Sequence, residues 1–123
     1  MTTDASPASG ICRFLALAGG LCGAAGVALS AAAAHLGGAF TGTAASFLLM
    51  HAPVFLAVGL AGGNRMLRTG GLILLAGLVI FAGDLLARDH LSARLFPMAA
   101  PVGGTLLIVG WLAVAASALA GRR

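Results

Sequence analysis

Two ionisable side chains lie inside long apolar stretches of this 123-residue chain, and a third lies at the end of one. Asp84 and His51 are inside, and His35 directly follows the first stretch. Burying an ionisable group among apolar ones costs free energy, so such residues are candidate functional sites. A carboxylate and an imidazole can carry protons or hold a cation. Arg88 follows Asp84 by four residues, a spacing that favours a helical ion pair. The candidate cluster is therefore His35, His51, Asp84 and Arg88.

The residue types leave two interpretations of this cluster open. Asp84 either forms a structural ion pair with Arg88 or serves as a proton or cation site. His51 either makes a hydrogen bond to a neighbouring helix or shuttles protons. We expect His35 to tie down a loop, and His90, in a charged loop, to be solvated. A site of two histidines and one carboxylate would require all three to converge. No local ligand spacing supports it, so we expect no metal and no cofactor.

Four apolar stretches of about 20 residues must position these side chains. That is the length a helix needs to cross the roughly 30 Å hydrocarbon core of a bilayer. The predicted spans are 14–34, 44–62, 69–87 and 98–120. Together they make one membrane domain, 14–120, between a disordered N-terminal tail, 1–13, and a basic C-terminal tail, 121–123. The sequence therefore predicts an all-α fold, a four-helix transmembrane bundle with short loops.

Composition excludes several classes of protein. Charged residues make up 8% of the chain, against about 25% in a typical soluble domain. The net charge of +4 comes from seven arginines, which are spread over the ends of the apolar stretches rather than gathered in a patch. That distribution suits lipid head groups and argues against nucleic acid. We find no nucleophile motif, phosphate loop or paired carboxylate, so we do not expect an enzyme.

The first stretch resembles a signal peptide in part, since Arg13 precedes it and Ser30–Ala34 offers a cleavage site. It is, however, longer than a usual signal core. Gly19, Gly23 and Gly26 also share one helical face, where small residues let membrane helices approach each other. We therefore expect the first helix to be retained.

Similar rows of small residues occur in every span and predict seams for helix packing. The glycines assigned to this role are Gly19, Gly23, Gly26, Gly59, Gly63, Gly70, Gly77, Gly103, Gly104 and Gly110. Close seams also permit a homo-oligomer or a complex with another membrane protein.

The arginines also predict orientation. Four spans place both termini and the second connection on one side, which collects five arginines against two on the other. The positive-inside rule then puts both termini in the cytoplasm, with the protein in the bacterial inner membrane. Asp84, His51 and His35 would share the outer half.

Four short segments, in order along the chain, resemble the small bacterial membrane proteins of the domain of unknown function 423 family. The segments are the Gly/Ala run Gly23–His35, Met50-His51-Ala52, Phe81–Leu85, and Ala100–Gly104 followed by Gly110-Trp111. The family is also described as YgdD-like and has a eukaryotic relative called transmembrane protein 256. Its usual Tyr-His-Ala segment has Met50 here, and Asp84 stands where the family carries a small polar residue. The resemblance implies a four-helix inner-membrane protein and brings no established activity.

Two functions of different classes follow from these observations. The first is a structural or accessory membrane protein, a partner in a larger complex. The alternative is a minimal oligomeric proton or cation transporter or channel that uses Asp84 with His51.

Overall fold

A computed structural model describes residues 9–120, which form four α-helices and contain no strand. In chain order the helices are α1 (Gly10–Leu36), α2 (Ala39–Ala61), α3 (Arg65–His90) and α4 (Ala99–Ser117). By length and composition, each of the four could cross a membrane. The predicted all-α, four-span architecture is confirmed.

The helices differ from the predicted spans by a few residues, because capping groups rather than hydropathy set their ends. Ser9 accepts a hydrogen bond from the Cys12 backbone N–H at 3.1 Å, so α1 begins at Gly10. Asn64 caps α3 in the same way, through Leu67 N–H at 2.8 Å. Residues 10–13 of the predicted disordered tail are thus helical. Residues 1–8 and the basic tail, 121–123, lie outside the described residues.

Short connections make sequential helices antiparallel, so the chain folds as two hairpins. Helix α1 packs on α2 and α3 packs on α4, and the hairpins dock mainly through α2 and α3. We call the end that carries connections 37–38 and 91–98 the distal end. The chain enters α1 and leaves α4 at the opposite, proximal end.

Glycine permits close backbone approach within the α1–α2 hairpin. A Cβ on Gly19 would lie 2.9 Å from the Ala52 carbonyl oxygen, and one on Gly59 would lie 2.7 Å from that of Cys12. A Cβ on Gly26 would meet a leucine side chain of α2 at 2.7 Å. These distances are shorter than real Cβ contacts, so the seam as it stands requires glycine.

The α3–α4 hairpin has a seam of the same kind. Gly77 and Gly103 face each other, and a Cβ on either would lie 2.9 Å from the other's carbonyl oxygen. A Cβ on Gly110 would lie 2.9 Å from Leu74 N, and one on Gly70 would lie 3.1 Å from an α4 backbone nitrogen. Lipid supplies little hydrophobic drive between helices, so such contacts gain stability through van der Waals packing.

The packing role is wrong for two of the predicted glycines. Helix α2 ends at Ala61, and Gly63 lies in the following connection with φ of +61°, a conformation that favours glycine. A Cβ on Gly104 would meet nothing within 4 Å, because one residue turns a helix by roughly 100°, away from the seam on which Gly103 lies. Gly23 makes only an ordinary contact, with its Cβ position 3.8 Å from Ala52 Cβ.

All four helices contribute to the main apolar core. It fills the middle and the proximal part of the bundle. Its buried members are Leu15, Phe55, Val58, Leu74, Leu78 and Leu107.

Candidate functional site

Asp84 is completely buried on α3, near the distal end. Its Oδ1 accepts a hydrogen bond from Leu95 N–H at 2.8 Å, which fixes the α3–α4 connection onto the helix. Arg88 Nη2 lies 2.9 Å from Asp84 Oδ2. This contact is an ion pair without hydrogen-bond geometry, since Oδ2 and Arg88 Nε are both buried with no hydrogen-bond partner among residues 9–120. The predicted i,i+4 pair is therefore present, and Asp84 also anchors a loop.

His51 is buried on α2 and uses both ring nitrogens. Nδ1 lies 2.8 Å from the Phe47 carbonyl oxygen, and Trp111 Nε1 donates to Nε2 at 3.2 Å. Because a carbonyl accepts and an indole N–H donates, the ring must carry its proton on Nδ1 and leave Nε2 as the acceptor. Both contacts therefore agree with a single tautomer, in which Nδ1 donates and Nε2 accepts.

His51 and Asp84 lie at different depths. Asp84 is six residues from the distal end of α3 and His51 is twelve from that of α2, about 9 Å and 18 Å deep at 1.5 Å per residue. Between these depths, Phe47 and Phe81 pack with ring centroids 4.6 Å apart. No hydrogen bond joins the two residues within the described chain. The residues predicted to form a single cluster in the outer half thus lie in separate groups, with the Phe47–Phe81 pair between Asp84 and His51.

His35 does not belong to either group. It lies in the last turn of α1, is exposed, and makes no hydrogen bond to any other described residue. The expectation that it ties down a loop is therefore wrong, because the side chain is at the surface. Within residues 9–120, no three His, Cys, Asp or Glu side chains are close enough to hold a metal ion.

Sequence reasoning missed a third polar group, at the distal start of α2. Thr41 donates from its backbone N–H and its hydroxyl to Asp89 Oδ2, at 2.6 and 2.7 Å. The His90 Nε2 atom is 3.3 Å from the Thr41 hydroxyl, so His90 is not simply solvated. Gly38, the N-cap residue, has no side chain to satisfy the first N–H groups of α2, and Asp89 of α3 replaces it. The Gly37-Gly38 pair before Thr41 could have indicated this contact. Glycine has no side-chain oxygen to cap a helix, so the cap had to come from another part of the chain.

The arrangement as a whole connects elements rather than opening a reaction site. Asp84 joins α3 to the α3–α4 connection, and Asp89 joins α3 to α2. His51 joins α2 to α4 through Trp111. Each uses its polar atoms mainly on other parts of the same chain.

Comparison with known proteins decides the family. The protein-family model described as "Protein of unknown function (DUF423)" matches residues 20–104, more than half of the chain. The chain belongs to the DUF423 family. The resemblance inferred from short motifs is thereby confirmed. The DUF423 match includes His35, His51, Asp84 and Arg88, whereas Trp111, the partner of His51, lies beyond it.

Curated relatives agree with this assignment. A UPF0382 membrane protein of Staphylococcus saprophyticus is 32% identical over 71 residues, which cover 56% of this chain and 59% of the relative. Two UPF0382 membrane proteins from strains of Staphylococcus epidermidis are each 30% identical over 78 residues, 62% of this chain and 64% of the relative. The chain thus spans less than two thirds of each of these relatives. The comparison with solved structures gave no significant match. This DUF423 chain is a membrane protein of an uncharacterised family.

Proposed function

We propose that this chain is a structural or accessory protein of the bacterial inner membrane that works as a partner in a larger membrane complex. The observation that carries the proposal is that its buried polar side chains are used to hold its own helices and connections together. His51 has both ring nitrogens occupied, and Asp84 contacts Leu95 N and Arg88. That it is not an enzyme stays a prediction.

The packing of the core supports a non-conducting role for one chain. The Phe47–Phe81 pair lies between the depths of Asp84 and His51. Toward the proximal end, the space between the helices is filled by buried side chains, among them Phe55, Leu74 and Leu78, each at 0% exposure. A proton or cation leaving Asp84 would meet an apolar barrier, where unpaired charge is costly.

The outer faces of α1 and α4 supply surface for lipid or for a partner. Leu17, Leu21 and Val27 of α1 are more than 60% exposed, as are Ile108 and Leu112 of α4. In a bilayer these faces need no cover, so their exposure alone identifies no partner. A protein partner would be detected as contacts with one of these two faces and not with the other.

We test the partner role by placing a photo-crosslinking amino acid at Leu21 or Leu112, one face at a time, in living cells. The expected result is a discrete protein adduct from one of the two faces. Adducts only with lipid at both positions would contradict the proposal. A buried position, Leu74, is the matched control and should give no intermolecular adduct.

The transport alternative is favoured by one observation, the buried Asp84 Oδ2 without a hydrogen bond. Two copies could then form a pathway that one copy lacks. Proton and cation flux in proteoliposomes tests it, with wild type against Asp84→Asn. We expect no flux above empty vesicles from either protein. Flux from wild type that Asp84→Asn abolishes would establish transport and overturn the accessory role.

The proposed orientation places both termini in the cytoplasm, because arginine is in excess at the proximal end. Arg13, Arg65 and Arg68 lie there, against Arg88 and Arg94 at the distal end. A fluorescent protein fused after Arg123 should be active, and a periplasmic phosphatase fused at the same site should be inactive. The reverse pattern would invert the topology.

A further inference from the structure

A cavity of about 360 Å³, open to the surface, lies at the distal end beside the Asp84–Arg88 pair. Its lining residues are Phe40, Arg88, Ser92, Ala93 and Arg94. Two of these five carry a guanidinium, and none carries a carboxylate. The lining of the cavity is therefore basic.

Two contacts fix the position of the Arg88 side chain, but they do not engage all of its N–H donors. Its Nη2 contacts Asp84 Oδ2, and its guanidinium carbon lies 5.4 Å from the centre of the Phe40 ring. Its Nε is buried and has no hydrogen-bond partner within residues 9–120. A guanidinium offers five N–H donors in a fixed plane, and the ion pair with Asp84 engages Nη2 alone, so the Nη1 donors of Arg88 remain for an oxyanion.

Arg94 adds a charge that no described side chain compensates. Among residues 9–120 the only ion pair is Asp84–Arg88, and Asp89 is engaged by Thr41. The segment that carries Arg94 is pinned on both sides, by Ala93 N–H to the Ala87 carbonyl oxygen and by Leu95 N–H to Asp84. Two guanidiniums thus line one cavity, but only Arg88 has a carboxylate partner among the described residues, so one compensating negative charge is missing.

The surroundings indicate the source of that charge. Helix α3 ends at His90, so the cavity lies just past the end of a membrane-spanning helix. Leu91, Leu95 and Phe96 lie on the same connection and are 73%, 50% and 40% exposed. Apolar side chains around a basic site at this level suit a ligand that brings acyl chains together with its negative charge.

We propose that this cavity binds a phosphate group, namely the headgroup of a net-anionic phospholipid. Arg88 and Arg94 bind the phosphate oxygens, Ser92 is within the same lining, and Leu91, Leu95 and Phe96 contact the acyl chains. The site does not depend on the accessory role, because lipid binding is compatible with either function considered above.

The test uses the full chain in nanodiscs, with phosphatidylglycerol as the anionic probe and phosphatidylcholine as the neutral one. Native mass spectrometry counts lipids retained after partial delipidation. We expect wild type to retain phosphatidylglycerol about fivefold better than phosphatidylcholine. Arg94→Gln should lose that preference while keeping the Asp84–Arg88 pair. Arg88→Lys, which keeps the charge but loses the planar fork, should weaken it as well.

Arg65→Gln is the matched control, since Arg65 is an exposed arginine at the proximal end. It should retain the wild-type preference. Equal losses in Arg65→Gln and Arg94→Gln would mean general attraction between charges and would overturn the site. Thermal unfolding with inorganic phosphate alone, in phosphatidylcholine nanodiscs, separates the two sources of phosphate. Stabilisation equal to that by phosphatidylglycerol would overturn the lipid assignment.

Discussion

The interfaces inside the two hairpins differ in kind from the contacts between the hairpins. Inside, α1–α2 and α3–α4 approach through glycine, at distances that leave no room for a Cβ. Between the hairpins, side chains reach across: Asp89 to Thr41, Phe47 to Phe81, and Trp111 to His51. Close backbone packing thus joins the helices within each hairpin, whereas the two hairpins meet through side chains, namely the apolar core and these polar and aromatic groups.

The contacts between hairpins also lie in one part of the molecule. All three are in the distal half or the middle of the bundle, and the proximal part is apolar core. A hydrogen bond constrains direction as well as distance. A few of them can therefore favour one relative orientation of the two hairpins, whose other contacts are mainly apolar. This division ranks the substitutions that follow.

The largest effect is expected from a methyl group in a seam. In Gly103→Ala the new Cβ would lie 2.7 Å from Phe81 N, so the α3 backbone must move. We expect a loss of about 3 kcal/mol in the free energy of unfolding. Gly104→Ala is the matched control, with nothing within 4 Å of its Cβ position, and should be neutral. Denaturant unfolding in one detergent measures both, and equal losses would show that the seam is not close-packed.

The sequence predicted the four spans because length and hydropathy alone decide whether a helix can cross a bilayer. It also indicated Gly77, Gly103 and Gly110, since regular spacing on a long helix keeps residues on one face. It misassigned Gly63 and Gly104, because a row of small residues shows neither where a helix ends nor which of two adjacent glycines faces the seam.

The candidate site was predictable only within one helix. The Asp84–Arg88 pair is local, and the i,i+4 spacing was enough to expect it. His51 bonds to Trp111, 60 residues away in sequence, and Thr41 bonds to Asp89, 48 residues away. Such contacts depend on how the hairpins dock, which periodicity does not encode. The start of α2 at Ala39 rather than at Ala44 depends on contacts of the same kind, because its cap, Asp89, lies on another helix.

The second largest effect is expected at Asp84, which is polar yet acts inside one hairpin. Asp84→Leu leaves Leu95 N–H and the Arg88 guanidinium without their partner, at a cost of about 2 kcal/mol in stability. Asp84→Ser keeps a small acceptor and should lose less. Thermal unfolding of wild type and both variants gives the order. A Leu variant as stable as the Ser variant would mean that the carboxylate does not hold the connection.

A smaller effect is expected at the bridge between α2 and α4. Trp111→Phe keeps a ring on His51 but removes the N–H donor, so we expect a loss of about 1 kcal/mol. In a His51→Ala background the same substitution should cost little, because the acceptor is already absent. The double-mutant cycle in one detergent measures the coupling. No coupling would show that the 3.2 Å contact does not contribute to the docking of the hairpins.

The smallest effect is expected at Asp89, whose bonds to Thr41 lie near water at the distal end. Asp89→Ala removes the acceptor for the first N–H groups of α2 and the charge that complements the helix dipole. Asp89→Asn keeps an acceptor oxygen and loses only the charge. We expect local fraying rather than global unfolding, so hydrogen exchange at Thr41 and its neighbours is the sensitive measurement. Exchange should rise most in the Ala variant, less in the Asn variant, and not at all at the proximal end of α2. Equal exchange in wild type and the Ala variant would mean that α2 needs no cap from α3, and that Asp89 does not contribute to the docking of the hairpins.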